Sequence, residues 1–171
     1  MAREIIKEMH KQKISGGYLV LLRITLGLSF ITTWFSNLTK GVFTTSGVDY
    51  GFEGTIRYFI DNPEHISTPV DTLFIDYIFP NWIIFALGWM IVELLISLTL
   101  TFGVFTRAGS IIGAGSTIIL GLGSLGVDWP WTYALLFIGC ITCALVGAGR
   151  WYGFDYWLKD KIPDNIANFL L

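Results

Sequence analysis

The chain has 171 residues and a net charge of −2, and it is 53% hydrophobic with only 14% charged residues. Soluble domains carry about 25% charged residues, so the composition excludes an ordinary soluble domain and indicates a single integral membrane domain, 1–171. Two cysteines and two histidines, with His10 in the N-terminal tail and His65 in a long loop, exclude a four-thiolate iron–sulfur site or a bis-histidine haem built from this chain alone.

In chain order, residues 1–15 are basic, with Arg3, Lys7, Lys11 and Lys13 against Glu4 and Glu8. Ile5, Ile6 and Met9 fall on one side of a helical wheel, which predicts a segment lying on the membrane surface ahead of the first span. It is read as an orientation signal rather than a cleavable leader, because the apolar run that follows is too long and lacks an A-x-A-like site. That run, Gly17 to Leu38, gives 22 residues with one charge, Arg23, enough to cross a bilayer. Arg23, Gly27, Phe30, Trp34 and Asn37 share one helical face, which should turn into the protein. An arginine inside a membrane helix costs about 2.5–3.5 kcal/mol on insertion scales, so it needs a partner or a wet cavity.

Residues 41–81 form the longest polar stretch, with Asp49, Glu53, Asp61, Glu64, Asp71 and Asp76 against one internal base, Arg57. Two short helices are predicted, Gly54–Asp61 and Pro69–Phe79, in an ordered aromatic cap on the membrane surface. A second span follows over about 82–105 and contains Glu93, the other ionisable residue inside an apolar run. A very short connection leads to a third span, about 108–127, so these two helices form an antiparallel hairpin. Gly109-x-x-x-Gly113 in the third span predicts close helix approach. Asp128-Trp129-Pro130 turns the chain into a fourth span, about 131–149, followed by an aromatic, basic exit. Arg3, Lys7, Lys11, Lys13, Arg107, Arg150, Lys159 and Lys161 then fall on one side, and only Lys40 and Arg57 on the other. The expected fold is thus an all-α, four-transmembrane-helix bundle in the cytoplasmic membrane, both termini cytoplasmic and the loop outside. Its partners include the lipid bilayer and not nucleic acid, and no metal is expected.

Arg23 lies about 9 Å and Glu93 about 18 Å from the cytoplasmic ends of their helices at 1.5 Å per residue, a gap that leaning side chains bridge. Two readings follow. Arg23 and Glu93 form a structural ion pair between the first two spans, or they bind and protonate a polar group carried in from the lipid, such as a quinone carbonyl. In the second case Phe30, Trp34 and Trp89 join them as the lining of a quinone pocket. Cys140-Ile141-Thr142-Cys143 falls near mid-bilayer, where a thiolate is disfavoured, and is read as two small packing residues rather than a dithiol redox site.

The first-helix pattern LRITLGLSF with the later Lys40, the hairpin GVFTRAG (Gly103 to Gly109) and the exit GAGRWYGFD (Gly147 to Asp155) together resemble the DoxX/DoxD family of small four-helix membrane proteins. The long loop and the size look most like the DoxD branch, the membrane subunit of thiosulfate:quinone oxidoreductase. That resemblance implies oxidation of thiosulfate to tetrathionate coupled to reduction of a membrane quinone, with a DoxA-like second subunit as partner. The alternative is a non-catalytic accessory subunit, in which the same helix face and loop dock other members of a membrane complex.

Overall fold

The computed structural model describes residues 16–39, 52–163, 166–167 and 170–171. Among these residues the chain is all helical, with no strand. The predicted surface-lying segment 1–15 and Lys40 lie outside the described residues.

Helix α1 spans Gly17–Thr39, and α2 spans Phe52–Ile60. A four-residue helix α3, Pro69–Thr72, starts at a capping box formed by Thr68 and Asp71, with proline in its first turn. The chain then passes through a wide π turn, Leu73–Ile78, and a tight 3₁₀ turn, Phe79–Asn81, into α4, Trp82–Phe102. Pro80 accounts for the irregularity: it brings no N–H to the helical ladder and crowds the carbonyl four residues earlier, so the backbone widens ahead of it. The stretch Pro69–Phe102 nevertheless runs on as one rod of 34 residues. The second predicted loop helix is therefore joined to α4 with no intervening loop.

Helix α4 ends at Gly103, whose left-handed backbone (φ 69°) lets its N–H reach the Thr99 carbonyl at 2.9 Å. Three residues later α5 begins, Thr106–Gly123, followed by α6, Pro130–Val146. A second left-handed glycine, Gly147, closes α6 before a 3₁₀ turn, Ala148–Arg150, and the short helix α7, Asp155–Leu158. The helices predicted as the second, third and fourth spans are thus shorter at their C-terminal ends than expected, because glycine or a turn stops each one while the apolar composition continues.

The main pairings are α1 on α4 and α5 on α6, with α4 on α5 and α1 on α6 completing the bundle. Glycines set the close approaches. A Cβ at Gly109 would strike the Thr99 side chain of α4, and one at Gly113 would press on Cys140 Sγ, Ile96 and Phe30. Two apolar clusters result. One, around Phe74, Ile78, Trp82, Ala86, Trp89 and Met90, fills the end that carries residues 52–81. The other, around Leu26, Phe30, Ile96, Leu100, Cys140 and Cys143, fills the middle. The polar segment is tied onto the bundle by the Ile66 N–H donating to Leu125 O at 2.8 Å, and is ordered internally where His65, Ser67 and Thr68 converge on Asp71.

The outside of this bundle is apolar. Ile84 and Leu145 are each 75% exposed, and Leu21, Ile91, Leu95 and Leu135 also face outward. Large exposed apolar faces on long helices mark contact with lipid. Helix α1 and the rod Pro69–Phe102 are long and apolar enough to cross a membrane.

Candidate functional site

Glu93 projects from the middle of α4 and is 2% exposed. One turn earlier on the same helix, Trp89 Nε1–H donates to Oε1 at 2.9 Å, since residues four apart share a helical face. Across the interface the Asn37 amide of α1 donates to Oε2 at 3.0 Å. Both carboxylate oxygens are therefore held by N–H donors in an apolar surrounding. Trp34 packs against the aromatic cluster that contains Trp89. Phe30 lies one layer away, against Ile96 and Gly113 in the middle cluster.

Arg23 is 1% exposed and sits at the other end of α1. Its guanidinium occupies a slot made by two glycines, for a Cβ at Gly103 or at Gly153 would overlap Nη1. Asp155, on the exit segment, acts on its charge through space without a salt bridge between them, and Arg23 Nε and Nη1 have no hydrogen-bond partner. Asp155 also caps α5: Phe105 N–H donates to Oδ1 at 2.6 Å and Thr106 N–H to Oδ2 at 3.0 Å. Burial pushes the Asp155 carboxyl above its ordinary range, opposed by those hydrogen bonds and by the Arg23 charge. The exit backbone completes the clasp, with Phe154 N–H on Phe102 O at 3.3 Å and Asp155 N–H on Gly103 O at 2.8 Å. Gly149 must be small here too, because a Cβ would run into Asp155 and the Thr106 hydroxyl. The motifs GVFTRAG and GAGRWYGFD, far apart in sequence, thus form one knot around Arg23.

The two buried charges do not meet. No ion pair joins Arg23 to Glu93 among the described residues, whose ion pairs are Arg57–Glu53 and His65–Asp71. The cause is the direction in which side chains leave a helix. Each Cα–Cβ bond tilts toward its own helix N-terminus. Helices α1 and α4 run antiparallel, so Arg23 leans toward the Gly17 end and Glu93 toward the Trp82 end. They lean apart, where depth alone suggested that they lean together. Asn37, which meets Glu93, is 14 residues beyond Arg23, about 21 Å along α1. The expected structural ion pair is therefore corrected to two separate polar layers, Arg23 with Asp155 and Glu93 with Asn37 and Trp89. Of the five residues expected to line one quinone pocket, Trp89 and Glu93 touch, Trp34 packs alongside, Phe30 is a layer below, and Arg23 is remote.

The DoxX family model matches residues 18–123, more than half of the chain, and takes in α1, α4 and α5 with both Arg23 and Glu93. The chain belongs to the DoxX family. No curated protein and no solved structure matches this DoxX protein. The matched stretch stops at the end of α5, so Asp155 and the exit knot lie beyond it while completing the seat of Arg23. Cys140 and Cys143 are free thiols, wholly buried in the middle cluster, with Cys140 packed on Gly113.

Proposed function

We propose that this DoxX protein is the quinone-facing membrane subunit of an oxidoreductase resembling the DoxD branch. Thiosulfate, met on the side of residues 52–81, is oxidised to tetrathionate while a membrane quinone is reduced, with a DoxA-like second subunit in the complex. The proposal includes four spans in the cytoplasmic membrane with both termini inside, which agrees with the apolar exterior of the bundle. The observation that carries it is the Glu93 carboxylate, buried in a helix that contacts lipid. An ionisable group there is costly and by default marks a functional site. A quinone takes up protons as it takes up electrons, and Glu93 is a proton-carrying group midway along a lipid-contacting helix. Trp89 and Asn37 hold the carboxylate in one orientation, leaving its other lone pairs for the ligand.

The test is to purify the protein from native membranes into lipid nanodiscs, extract it for quinone, and titrate the extracted protein with a short-chain ubiquinone analogue. Bound quinone in the extract and saturable rebinding are the expected results. Absence of both would remove the quinone reading. One feature favours the accessory alternative: both Glu93 oxygens are already engaged and the residue is closed off. In that case the same preparation would hold stable partner polypeptides and no quinone.

A further inference from the structure

We propose that the Arg23 end of the bundle is a binding site for the phosphate of an anionic phospholipid, held by Arg23 and Arg150. Arg23 lies six residues beyond Gly17 on α1, yet its guanidinium stands nearer the end of the bundle. Its Cα–Cβ bond tilts toward the helix N-terminus, and Nη1 rests against Gly103, the residue just past the end of α4. The charge is therefore in the layer of the helix ends. Buried side-chain donors without a hydrogen-bond partner gather here: Arg23 Nε and Nη1, Arg150 Nε, and the Ser110 hydroxyl one turn into α5. Among the described residues, His65 Nδ1 alone of such atoms lies elsewhere. A buried donor left unpaired is costly, and each one calls for an acceptor. The 3₁₀ turn that carries Arg150 packs on both α1 and α5, which puts its donor in the same layer as those of Arg23.

Charge, position and backbone strain choose the ligand. Arg107, Arg150, Lys159 and Lys161 add to the Arg23 charge at this end, against Asp155 and Asp160 among the described residues. Both Asp155 oxygens are already engaged by the Phe105 and Thr106 N–H groups, and neither forms a salt bridge with Arg23. Excess positive charge with unpaired donors fits an anion of several oxygens, and the forked guanidinium matches phosphate in particular. Tyr152, Tyr156 and Trp157 of the exit are exposed, and such rings mark the level of lipid headgroups. Basic pockets between membrane helices at this level bind acidic headgroups. Among the described residues, the non-glycine positions with left-handed backbone are Phe105 (φ 50°) and Tyr152 (φ 51°), and both belong to the Arg23 knot. Strain of this kind is concentrated at ligand clamps. Tyr152 is 85% exposed, so packing of its ring does not hold the strained turn that lays Gly153 over Nη1. Relaxing that turn uncovers the guanidinium for a phosphate. Neither a quinone nor Glu93 enters this inference.

The test is thermal unfolding of the detergent-solubilised protein with added phosphatidylglycerol, phosphatidylcholine or inorganic phosphate. In the wild type, phosphatidylglycerol is expected to raise the unfolding midpoint saturably, and the other two are not. Arg150→Gln removes a donor whose Nε has no partner, so it breaks no hydrogen bond made by that atom. It should need at least about tenfold more phosphatidylglycerol for the same rise, the loss of one charge-assisted hydrogen bond. Arg23→Lys keeps the charge without the fork and should also weaken the response. Lys159→Gln, at an exposed base of the same segment, should respond as the wild type does. Equal responses to phosphatidylglycerol and phosphatidylcholine, or an undiminished response in Arg150→Gln, would overturn the proposal. A loss in Lys159→Gln as large as in Arg150→Gln would also overturn it, by reducing the effect to diffuse surface charge. So would a rise with inorganic phosphate alone, which would make the ligand a soluble oxyanion. Should Arg150→Gln fold poorly, mass spectrometry of the phospholipid retained by the wild type through purification decides. Selective retention of phosphatidylglycerol supports the site, and an unselective mixture contradicts it.

Discussion

Asp155→Ala is expected to remove most of the folded protein from the membrane, as severely as Arg23→Leu, although Asp155 lies in a helix of only four residues. The substitution withdraws the acceptor from the Phe105 and Thr106 N–H groups at the start of α5, each buried backbone donor costing about 1–3 kcal/mol when orphaned. It also removes the carboxylate whose charge acts through space on a guanidinium that is 1% exposed. Whole-domain stabilities are about 5–15 kcal/mol, so losing the acceptor of two such donors removes a large fraction of the total. Asp155→Asn should fall between, keeping an oxygen for one N–H while losing the charge. The measurement is resistance to unfolding by increasing dodecyl sulfate in mixed micelles, with folded yield after detergent extraction as a second reading. Wild-type stability in Asp155→Ala would show that the exit segment does not hold Arg23.

Glu93 gives the second large effect, and here the choice of substitution separates fold from chemistry. Glu93→Leu leaves the Trp89 indole N–H and the Asn37 amide buried without acceptors, so it should lower folded yield. Glu93→Gln keeps an amide oxygen in the same place and nearly the same volume, and should assemble well. It carries no titratable proton, however. If Glu93 relays protons to a quinone, turnover in Glu93→Gln should drop by about 10²–10⁴-fold, the usual contribution of a positioned acid–base group. Quinone-linked oxidation assayed in membranes with matched protein levels measures this. Full activity in a well-folded Glu93→Gln would make the carboxylate structural and favour the accessory reading.

Much of the helical layout was readable in the sequence. Apolar runs of bilayer length announce α1 and α4, Pro130 announces the start of α6, and Gly109 and Gly113 announce a close helix contact that the Thr99 and Cys140 side chains confirm. The helix ends were harder, because Gly103 and Gly147 stop the helix within stretches whose composition stays apolar. The rod Pro69–Phe102 was missed at Pro80, since a proline normally reads as a break.

The site was half readable. That Arg23 and Glu93 are buried follows from single charges in apolar helices, and Asn37 shares the Arg23 face by period. Pairing them by depth failed because depth ignores the opposite tilt of side chains on antiparallel helices. Asp155 was missed for another reason. It sits outside every apolar run, 132 residues from Arg23, and looks like one more interfacial acid until the exit chain folds back over Gly103. A usable signal was present: a glycine-rich exit, in which the missing side chains of Gly149 and Gly153 make room for Asp155 and Arg23.

The separation of the two charges into independent layers is tested most directly by a pair of double-mutant cycles on unfolding free energy, Arg23→Leu with Asp155→Leu and Arg23→Leu with Glu93→Gln. Sites more than about 7–10 Å apart with no shared partner add to within about 0.3–0.5 kcal/mol, whereas partners in one charge network couple by about 0.5–3 kcal/mol. The Arg23–Asp155 cycle should therefore show strong coupling, with the double substitution recovering much of what either single change loses, and the Arg23–Glu93 cycle should be additive. Strong coupling between Arg23 and Glu93, with additivity between Arg23 and Asp155, would contradict the two-layer arrangement.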